Sequence, residues 1–323
     1  MKAVQVTKFG GPEVLGYVDL PDPSPGEGQV LVRAEGIGVN FADLKAREGG
    51  HISAAPPPFI PGLEAAGTVL AVGGGVRRVA SGDRVVAFPA GAYAERVVAS
   101  EALTYLLPAG VPFDAAAAFL LVFNTAYHAL KTQGRLAAGE SVIVHAAGGG
   151  VGTAAVQLAK LWGARVFACA GSDEKLARVK ALGADETINY VTQDIAEEIK
   201  RRTGGRGVDL VLDSVGGEVF EKSLQALGLM GRLVIFGNSS GRPRAMDETA
   251  LQGMSKTVAG LSVGGIRARR PDFLRPGCEE LLRLLAEGKI RTVIGRTLPL
   301  REAAEAHRFL ASRASYGKIL LTP

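Results

Sequence analysis

The sequence has few cysteines and no long hydrophobic run. Cys169 and Cys278 are the only cysteines among 323 residues, which leaves no disulfide framework to expect and suits a reducing compartment. No stretch approaches the uninterrupted apolar length of a membrane span, and residues 1–8 lack the apolar region of a secretory signal. These absences argue against an exported or membrane-spanning protein and predict a cytoplasmic one.

The excess of charge of one sign is also small. Lys and Arg number 37 against 32 Asp and Glu, which gives a net charge of +5. A basic balance attracts nucleic acid, but no recognition motif accompanies it here, and the same balance helps an enzyme to collect an anionic cofactor. RNA binding is therefore kept only as an alternative from another class. The arginines that suggest nucleic-acid binding cluster in the second half of the chain and are Arg242, Arg244, Arg267, Arg269 and Arg270.

A glycine cluster between a strand pattern and a helix pattern is the most informative feature present. Residues 142–144 form a short apolar run, typical of a buried parallel strand, and apolar residues recur at helical spacing from Val151 onward. Between them lies the motif Ala147-x-Gly149-x-x-Gly152. Glycines at such a corner let the backbone approach a pyrophosphate, which the helix N-terminus attracts.

The downstream sequence continues this pattern as an alternation of strands and helices. The predicted strands cover 165–170, 186–190, 208–213 and 231–237, with helices at 174–182 and 219–227. Such an alternation predicts a Rossmann-type, doubly wound parallel sheet with helices on both faces, and these sheets bind their ligand at the switch point.

The end of the second strand selects between the two nicotinamide cofactors. NAD-selective sites usually carry an acidic residue there, whereas this chain has Ala170-Gly171-Ser172. Ser172 and Lys175 lie within reach of a 2′-phosphate, provided that Asp173 faces solvent. The pattern favours NADPH over NADH, although Lys175 also fits a solvated lysine in the first turn of a helix.

Spaced motifs in a fixed order link the sequence to one family. They begin with Met1-Lys2-Ala3-Val4, continue through Gly38-Val39-Asn40-Phe41-Ala42-Asp43 and Pro61-Gly62-Leu63-Glu64-Ala65-Ala66-Gly67, and end with Gly317-Lys318. Over essentially its whole length the chain resembles the quinone oxidoreductase group of the zinc-independent medium-chain dehydrogenases/reductases. Further motifs are Gly82-Asp83-Arg84-Val85-Val86, Thr125-Ala126-Tyr127, Gly183-Ala184-Asp185 and Ala306-His307.

The resemblance implies a fold, its domain limits and an assembly. A partly β-barrel (GroES-like) catalytic domain would comprise residues 1–122 and 267–323, with the dinucleotide-binding Rossmann domain inserted at 123–266. Relatives are commonly dimers joined through the edges of their nucleotide-domain sheets. The resemblance thus implies a homodimer in which 257–263 is the edge strand, since unpaired edge groups favour such pairing.

Zinc-binding members of the wider superfamily carry ligands that this sequence lacks. Where they have a cysteine and a histidine, the chain has Asn40 and Leu63, and a cluster of four cysteines is missing. Without a Lewis acid, an acceptor that is already activated is the natural substrate. The resemblance therefore implies hydride transfer from NADPH to a quinone, or alternatively to an enal, enone or enoyl thioester. A non-catalytic NADPH-binding protein is a further alternative.

Three residues are candidates for the catalytic site. The resemblance implies that Asn40 and Asp43 lie near the nicotinamide, although Asn-x-x-Asp is also the pattern of a helix cap. Many relatives have a tyrosine in the loop after this motif, and His51 stands approximately in its place. A histidine there can donate a proton, or it is exposed and idle.

The cofactor contacts that the resemblance implies are spread along the chain. Those for the pyrophosphate follow the first strand, those for the 2′-phosphate follow the second, and the remainder are placed along the nucleotide, with Gly317 and Lys318 closing the site. The full set is Asn40, Thr125, Gly149, Gly150, Val151, Gly152, Gly171, Ser172, Lys175, Tyr190, Phe236, Gly237, Val263, Gly264, Gly317 and Lys318.

Overall fold

The computed structural model of the protein describes residues 1–50, 55–242, 246 and 248–323. The chain divides into two compact units. Unit 1 comprises Met1–Val122 and Gly264–Pro323, and unit 2 is the segment Phe123–Val263 between them. Unit 2 is therefore an insertion, as the resemblance implied, while the assignment of separate domains with a limit at 266/267 stays a prediction.

The first segment of unit 1 is mainly β-structure. It contains β1 (Lys2–Val6), β2 (Leu15–Asp19), β3 (Gln29–Val39), α1 (Phe41–Arg47), β4 (Glu64–Val72), β5 (Arg84–Ala87), β6 (Arg96–Ser100), β7 (Thr104–Leu106) and α2 (Phe113–Ala117). The segment ends at Val122, within helix α3 (Leu120–Tyr127).

Unit 2 alternates strands and helices. Its elements after α3 are β8 (Ser141–Val144), α4 (Gly150–Leu161), β9 (Arg165–Ala170), α5 (Asp173–Lys180), β10 (Glu186–Asn189), α6 (Ile195–Arg202), β11 (Val208–Asp213), α7 (Glu218–Ala226), β12 (Leu227–Ile235), α8 (Glu248–Gln252) and β13 (Thr257–Gly260).

The chain then returns to unit 1. The returning segment contains α9 (Val263–Arg269), α10 (Arg275–Ala286), β14 (Ile294–Pro299), α11 (Ala303–Ala311) and β15 (Lys318–Thr322).

The sheet of unit 2 confirms the predicted Rossmann-type topology. Its six strands are parallel, in the order β10-β9-β8-β11-β12-β13. Counted from the first strand this is the order 3-2-1-4-5-6, in which the connections change direction between β8 and β11. The central strands are apolar because both faces are covered there: all residues of β8 are buried, and Ile143 and Phe167 belong to one apolar core with Val211 and Leu233.

The predicted boundaries in unit 2 differ from the structure at its last two strands. Strand β12 covers Leu227–Ile235 instead of 231–237. Strand β13 ends at Gly260 instead of 263, and Val263 begins helix α9. The reason is that β13 pairs with β12 only through Arg232–Ile235, so the neighbouring strand offers no further ladder partner.

The sheet of unit 1 is organised by its longest strand, β3. Along β3, residues Val30–Gly38 pair with β4, residues Gln29–Arg33 pair with β6, and residues Ile37–Val39 pair with β15. Register shifts at two places along β3 mark bulges, which bend a strand. The end of β3 therefore lies beside both β4 and the returning strand β15, and it leads directly into α1.

Among the described residues, no helix has the length and apolar composition needed to cross a membrane.

Candidate active site

The glycine turn of unit 2 has the geometry of a pyrophosphate site. Gly149 caps helix α4 with extended backbone, and the helix runs on for 12 residues from Gly150. A Cβ on Gly152 would lie 2.4 Å from the Ala146 carbonyl oxygen and 2.5 Å from the Ala147 Cα, so only glycine fits. The first N–H groups of a helix have no intrahelical acceptor and carry partial positive charge, which suits a pyrophosphate.

The end of β9 brings together a hydroxyl, an ammonium group and a phenol. Ser172 caps helix α5 and its Oγ accepts from the Lys175 backbone N–H at 3.3 Å. The Lys175 side chain crosses the glycine turn, because a Cβ on Gly148 would meet its Cδ at 3.2 Å. Burial lowers the pKa of Lys175 from its ordinary value. On the other side, the Tyr190 hydroxyl would lie 2.8 Å from a Cβ on Gly171.

The carboxylate of Asp173 is held by a neighbouring amide. Asp173 is exposed, and its Oδ1 accepts from Asn189 Nδ2 at 2.8 Å. The residues present fit a phosphorylated dinucleotide, since they supply a cradle without side chains and a cation beside a hydroxyl.

The other predicted cofactor residues of unit 2 follow the carboxyl ends of its strands. Phe236 and Gly237 come directly after β12, where the Phe236 N–H donates to the Asp213 carbonyl at 3.0 Å. Val263 and its neighbour Gly264 open helix α9 shortly after β13. Parallel strands of this topology gather their ligand contacts at this edge. Thr125 lies in α3 and is 9% exposed.

A buried ion pair lies at the end of β3 in unit 1. The Lys318 ammonium on β15 donates to Glu64 Oε1 at 2.7 Å, to Asn40 Oδ1 at 2.6 Å and to the Val39 carbonyl at 2.8 Å. Glu64 is fully buried and Lys318 is 4% exposed. All three N–H bonds of the ammonium are donated inside unit 1, where Lys318 braces Asn40. Its predicted cofactor contact stays a prediction.

The amide of Asn40 is held on both sides. Its Nδ2 donates to Glu64 Oε1 at 2.9 Å and to the Gly38 carbonyl at 3.2 Å, while its Oδ1 accepts from Lys318. The second oxygen of Glu64 accepts from the Leu121 N–H at 2.7 Å. Glu64 thus braces backbone, and it also fixes Asn40.

Gly317 prepares the position of Lys318. Its φ is +71°, and a Cβ would lie 2.2 Å from the Val293 carbonyl oxygen. Only glycine fits this turn, which leads directly into β15. Gly317 is placed by the fold, and its predicted cofactor contact stays a prediction.

Asp43 takes part in a cap and in a second network. One oxygen, Oδ2, accepts from the Asn40 backbone N–H at 2.8 Å, which is the capping interaction that the sequence left open. The same oxygen accepts from the Tyr93 hydroxyl at 3.1 Å. That hydroxyl also contacts His307 Nε2 at 3.0 Å, and Arg47 Nη1 lies 3.2 Å from His307 Nδ1.

Burial dominates the proton affinities in this network. It raises the pKa of Asp43 to about 7, against the opposing effects of the Asn40 N–H, Lys318 and Tyr93. It lowers the pKa of His307 to about 3, with Arg47 adding to the effect, and it raises the pKa of Tyr93. The imidazole and the phenol are therefore neutral, whereas the carboxyl titrates near neutral pH.

Asp43 also lines a pocket of about 460 Å³ in unit 1. The pocket is largely apolar, with Phe59, Ile60 and Leu63 on its walls, and Arg267 of helix α9 provides a positive charge. The guanidinium of Arg267 donates to the Leu63 carbonyl at 3.3 Å and lies 5.6 Å from the Phe88 ring centroid. Burial lowers the pKa of Arg267 from its ordinary value.

The residues at the family's zinc-ligand positions make other contacts. Asn40 bonds Glu64 and Lys318, and Leu63 offers its carbonyl to Arg267. Within the part of the chain that the structure describes, no group of three or more His, Cys, Asp or Glu is placed to hold a metal ion. His51, the third predicted catalytic residue, lies outside the described residues.

Sequence reasoning gave no role to four residues of this site. Arg47 stands four positions after Asp43, which places both on one face of α1, and this spacing is a signal that was available. Tyr93 and His307 come from distant segments and share no local pattern with Asp43. Arg267 was grouped with surface arginines as a nucleic-acid signal, but the structure places it in the pocket wall.

Two family models match the chain. The alcohol dehydrogenase GroES-like domain matches residues 26–109, and the zinc-binding dehydrogenase model matches residues 150–285. Quinone oxidoreductase 1 of Escherichia coli is 38% identical over 330 residues, with 99% of each chain covered. The 2-haloacrylate reductase of a Burkholderia species is 34% identical, with 99% of this chain and 98% of the relative covered.

A solved structure shares the complete fold. The Escherichia coli quinone oxidoreductase complexed with NADPH superposes with a TM-score of 0.93 at 36% identity, and both chains are covered completely. Fold and site together define a dehydrogenase with an inserted Rossmann-type sheet and a GroES-like unit. The chain belongs to the medium-chain dehydrogenase/reductase family and, within it, to the quinone oxidoreductase group, as the sequence motifs predicted.

Proposed function

We propose that the protein reduces quinones with NADPH, without a metal ion. The observation that carries the proposal is the pocket in unit 1, where a guanidinium and a carboxyl stand in an apolar wall. NADPH, when bound, supplies the hydride. A quinone takes a hydride readily because the resulting charge is delocalised onto oxygen, and Arg267 provides a cation that stabilises this oxygen.

The proposed cofactor contacts follow the strand ends of unit 2. Gly149, Gly150, Val151 and Gly152 hold the pyrophosphate through backbone N–H groups. Ser172 and Lys175 bind the 2′-phosphate, with Gly171 and Tyr190 beside the adenosine. The remaining proposed contacts to the nucleotide are Asn40, Thr125, Phe236, Gly237, Val263, Gly264, Gly317 and Lys318.

In unit 1, Asn40 and Asp43 have different proposed tasks. Asn40 orients bound cofactor or acceptor through an amide that Lys318 and Glu64 hold in one rotamer. Asp43 contacts the acceptor from the pocket wall. A catalytic part for His51 remains a proposal that the sequence alone supports.

Activated alkenes form the second proposed class of acceptor. A relative at 34% identity is named 2-haloacrylate reductase, and a haloacrylate carries a carboxylate beside its double bond. The Arg267 guanidinium suits such an anion, since it forms one hydrogen bond among the described residues and has further N–H donors.

The test is the oxidation rate of NADPH and, separately, of NADH in the presence of EDTA. The acceptors are benzoquinone, naphthoquinone, a 2-enal, 2-chloroacrylate and an enoyl thioester. NADPH-specific turnover of quinones is expected. A preference for the alkenes would move the assignment to a double-bond reductase, and tight NADPH binding without any turnover would favour a non-catalytic role. Salt-sensitive RNA binding without turnover would favour the nucleic-acid alternative.

We also propose a homodimer and a cytoplasmic location. Strand β13 is the edge of its sheet, and the exposed Leu229, Met230 and Met254 lie near its start, where the Met230 N–H donates to the Met254 carbonyl. Apolar side chains at an open edge favour pairing with a second copy. Light scattering at micromolar concentration is expected to give twice the chain mass, and a monomeric mass would contradict the dimer. Two cysteines among 323 residues leave no disulfide framework to expect, which supports a reducing compartment.

A further inference from the structure

The hydrogen bonds between Arg47, His307, Tyr93 and Asp43 run in one direction. A guanidinium has only donors, so Arg47 donates to His307 Nδ1, and the proton of the neutral imidazole is then on Nε2. His307 Nε2 donates to the Tyr93 oxygen, which leaves the Tyr93 hydroxyl proton for Asp43 Oδ2. All four side chains are at most 3% exposed, so water does not compete for these bonds.

This chain of donors gives the two oxygens of Asp43 different environments. Oδ2 accepts from Tyr93 and from the Asn40 N–H. Oδ1 is buried and has no hydrogen-bond partner among the described residues. Buried polar atoms nearly always have a partner, so a vacant one in a pocket-lining residue calls for a ligand. A proton on this carboxyl is carried by Oδ1, because both donors occupy Oδ2.

We propose that Asp43 is the proton donor of the reaction and that Tyr93, His307 and Arg47 are positioning residues that keep its proton on Oδ1. The proposal rests on the proposed function, because it assigns the proton that a reduced acceptor needs. The acceptor gains a hydride at a carbon conjugated to its carbonyl, the C=C π electron pair shifts to form a new bond to the carbonyl carbon, and the carbonyl π pair moves onto the oxygen. That oxygen then bonds the proton of Asp43 Oδ1, and the Asp43 O–H bond breaks. Tautomerisation of the resulting enol, with a proton exchanged through water, gives the hydroquinone or the saturated carbonyl product.

The surroundings of Asp43 suit both its protonated and its deprotonated form. The carboxylate left behind keeps the Tyr93 and Asn40 donors and takes its next proton from water. With a pKa near 7, the acid is matched to neutral conditions, where a general acid is most effective. The charged groups around it are Lys318 on β15, Glu64 on β4, Arg47 on α1 and Arg267 on α9, and the neutral His307 lies on α11.

The test compares pH profiles of kcat for naphthoquinone reduction at saturating NADPH. For the parent protein we expect kcat to fall as pH rises through about 7, because only the protonated acid donates. Asp43→Asn keeps an acceptor for Tyr93 and Asn40 but loses the acid. We expect it to lower kcat by about a hundredfold at pH 6 and to remove the decline above pH 7.

A second variant keeps the proposal testable if Asp43→Asn folds poorly. Tyr93→Phe removes a donor to the carboxylate, so the pH at which kcat declines is expected to move to a higher value. Tyr105→Phe, another buried tyrosine of unit 1, is the matched control and is expected to leave the profile unchanged. A purely structural role of Tyr93 would lower kcat at every pH without moving the decline.

Infrared spectroscopy gives a readout that does not depend on turnover. The carbonyl band of a protonated carboxyl is expected to disappear between pH 6 and 8 in the parent protein, at higher pH in Tyr93→Phe, and to be missing in Asp43→Asn. A parent profile that is flat through pH 7, or an Asp43→Asn variant that keeps the decline, would overturn the proposal. Lack of any quinone turnover in the parent would overturn the proposed function instead, and the infrared titration would still report on Asp43.

Discussion

Replacement of Lys318 by methionine is expected to destabilise unit 1 strongly. The substitution removes three hydrogen bonds, to Glu64 Oε1, Asn40 Oδ1 and the Val39 carbonyl. The Glu64 carboxylate, which is fully buried, keeps only the donors from Asn40 Nδ2 and the Leu121 N–H. Removing one partner of a buried ion pair costs about 3 to 5 kcal/mol, a large share of the about 5 to 15 kcal/mol by which proteins are stable.

The assay is urea unfolding followed by far-ultraviolet circular dichroism. The double variant Lys318→Met with Glu64→Gln is expected to be more stable than the sum of the two single changes, because no uncompensated charge is left buried. Lys289→Met is the control, since Lys289 pairs with Glu287 in an exposed position and its loss is expected to leave the midpoint unchanged. A Lys318→Met midpoint within error of the parent, or strict additivity in the double variant, would refute the reasoning.

Three further predictions concern the cofactor site and the response to pH. Lys175→Ala is expected to reduce the kcat/KM preference for NADPH over NADH by about ten- to a hundredfold, the worth of one charge-assisted bond, while the exposed Lys180→Ala of the same helix serves as a neutral control in steady-state kinetics. Gly152→Ala is expected to abolish NADPH binding in a fluorescence titration, because its Cβ would lie 2.4 Å from the Ala146 oxygen. Gly260→Ala, where the Cβ meets open space, is the control and is expected to bind NADPH normally. The pKa of Asp43 is raised from 3.8 to about 7, so the folded state holds a proton that the unfolded state releases above pH 4, and the resulting stability is lost as pH rises through 7. Asp43→Asn stays neutral, so its stability relative to the parent is expected to be greater at pH 8 than at pH 5, by on the order of 1.4 kcal/mol for each pH unit between 5 and 7. The measurement is the melting temperature of both proteins at the two pH values, and an equal difference at both would contradict the raised pKa.

The fold of unit 2 could be predicted because its signals are local. Apolar runs such as 165–170 and 208–213 give the strands β9 and β11 with the predicted limits, and the glycine turn needs only neighbouring residues to define it. The prediction for strand β13 was too long. Its end depends on where the neighbouring strand β12 ends, and the sequence of 257–263 contains no signal for the end of β12.

The site in unit 1 could be predicted only in part. The motif Asn40-x-x-Asp43 is local and was found, whereas Tyr93 and His307 reach Asp43 from 50 and 264 positions further along the chain, distances that periodicity does not span. The task of Lys318 was missed for the same reason. Its glycine neighbour signals a tight turn, but the acceptors that hold its ammonium come from the other end of the sequence.

The position of β15 has a consequence for how the protein is made. Its residues Ile319–Leu321 pair with β3, and the Lys318 ammonium bonds the Val39 carbonyl across a separation of 279 positions. The six strands of unit 2 come from one continuous stretch, so that sheet can assemble during translation. Until β15 is synthesised, the part of β3 that pairs with it has no partner strand, and Glu64 lacks the Lys318 ammonium. During this interval the part of β3 that later pairs with β15 presents unpaired N–H and C=O groups, which are a site for pairing with other chains.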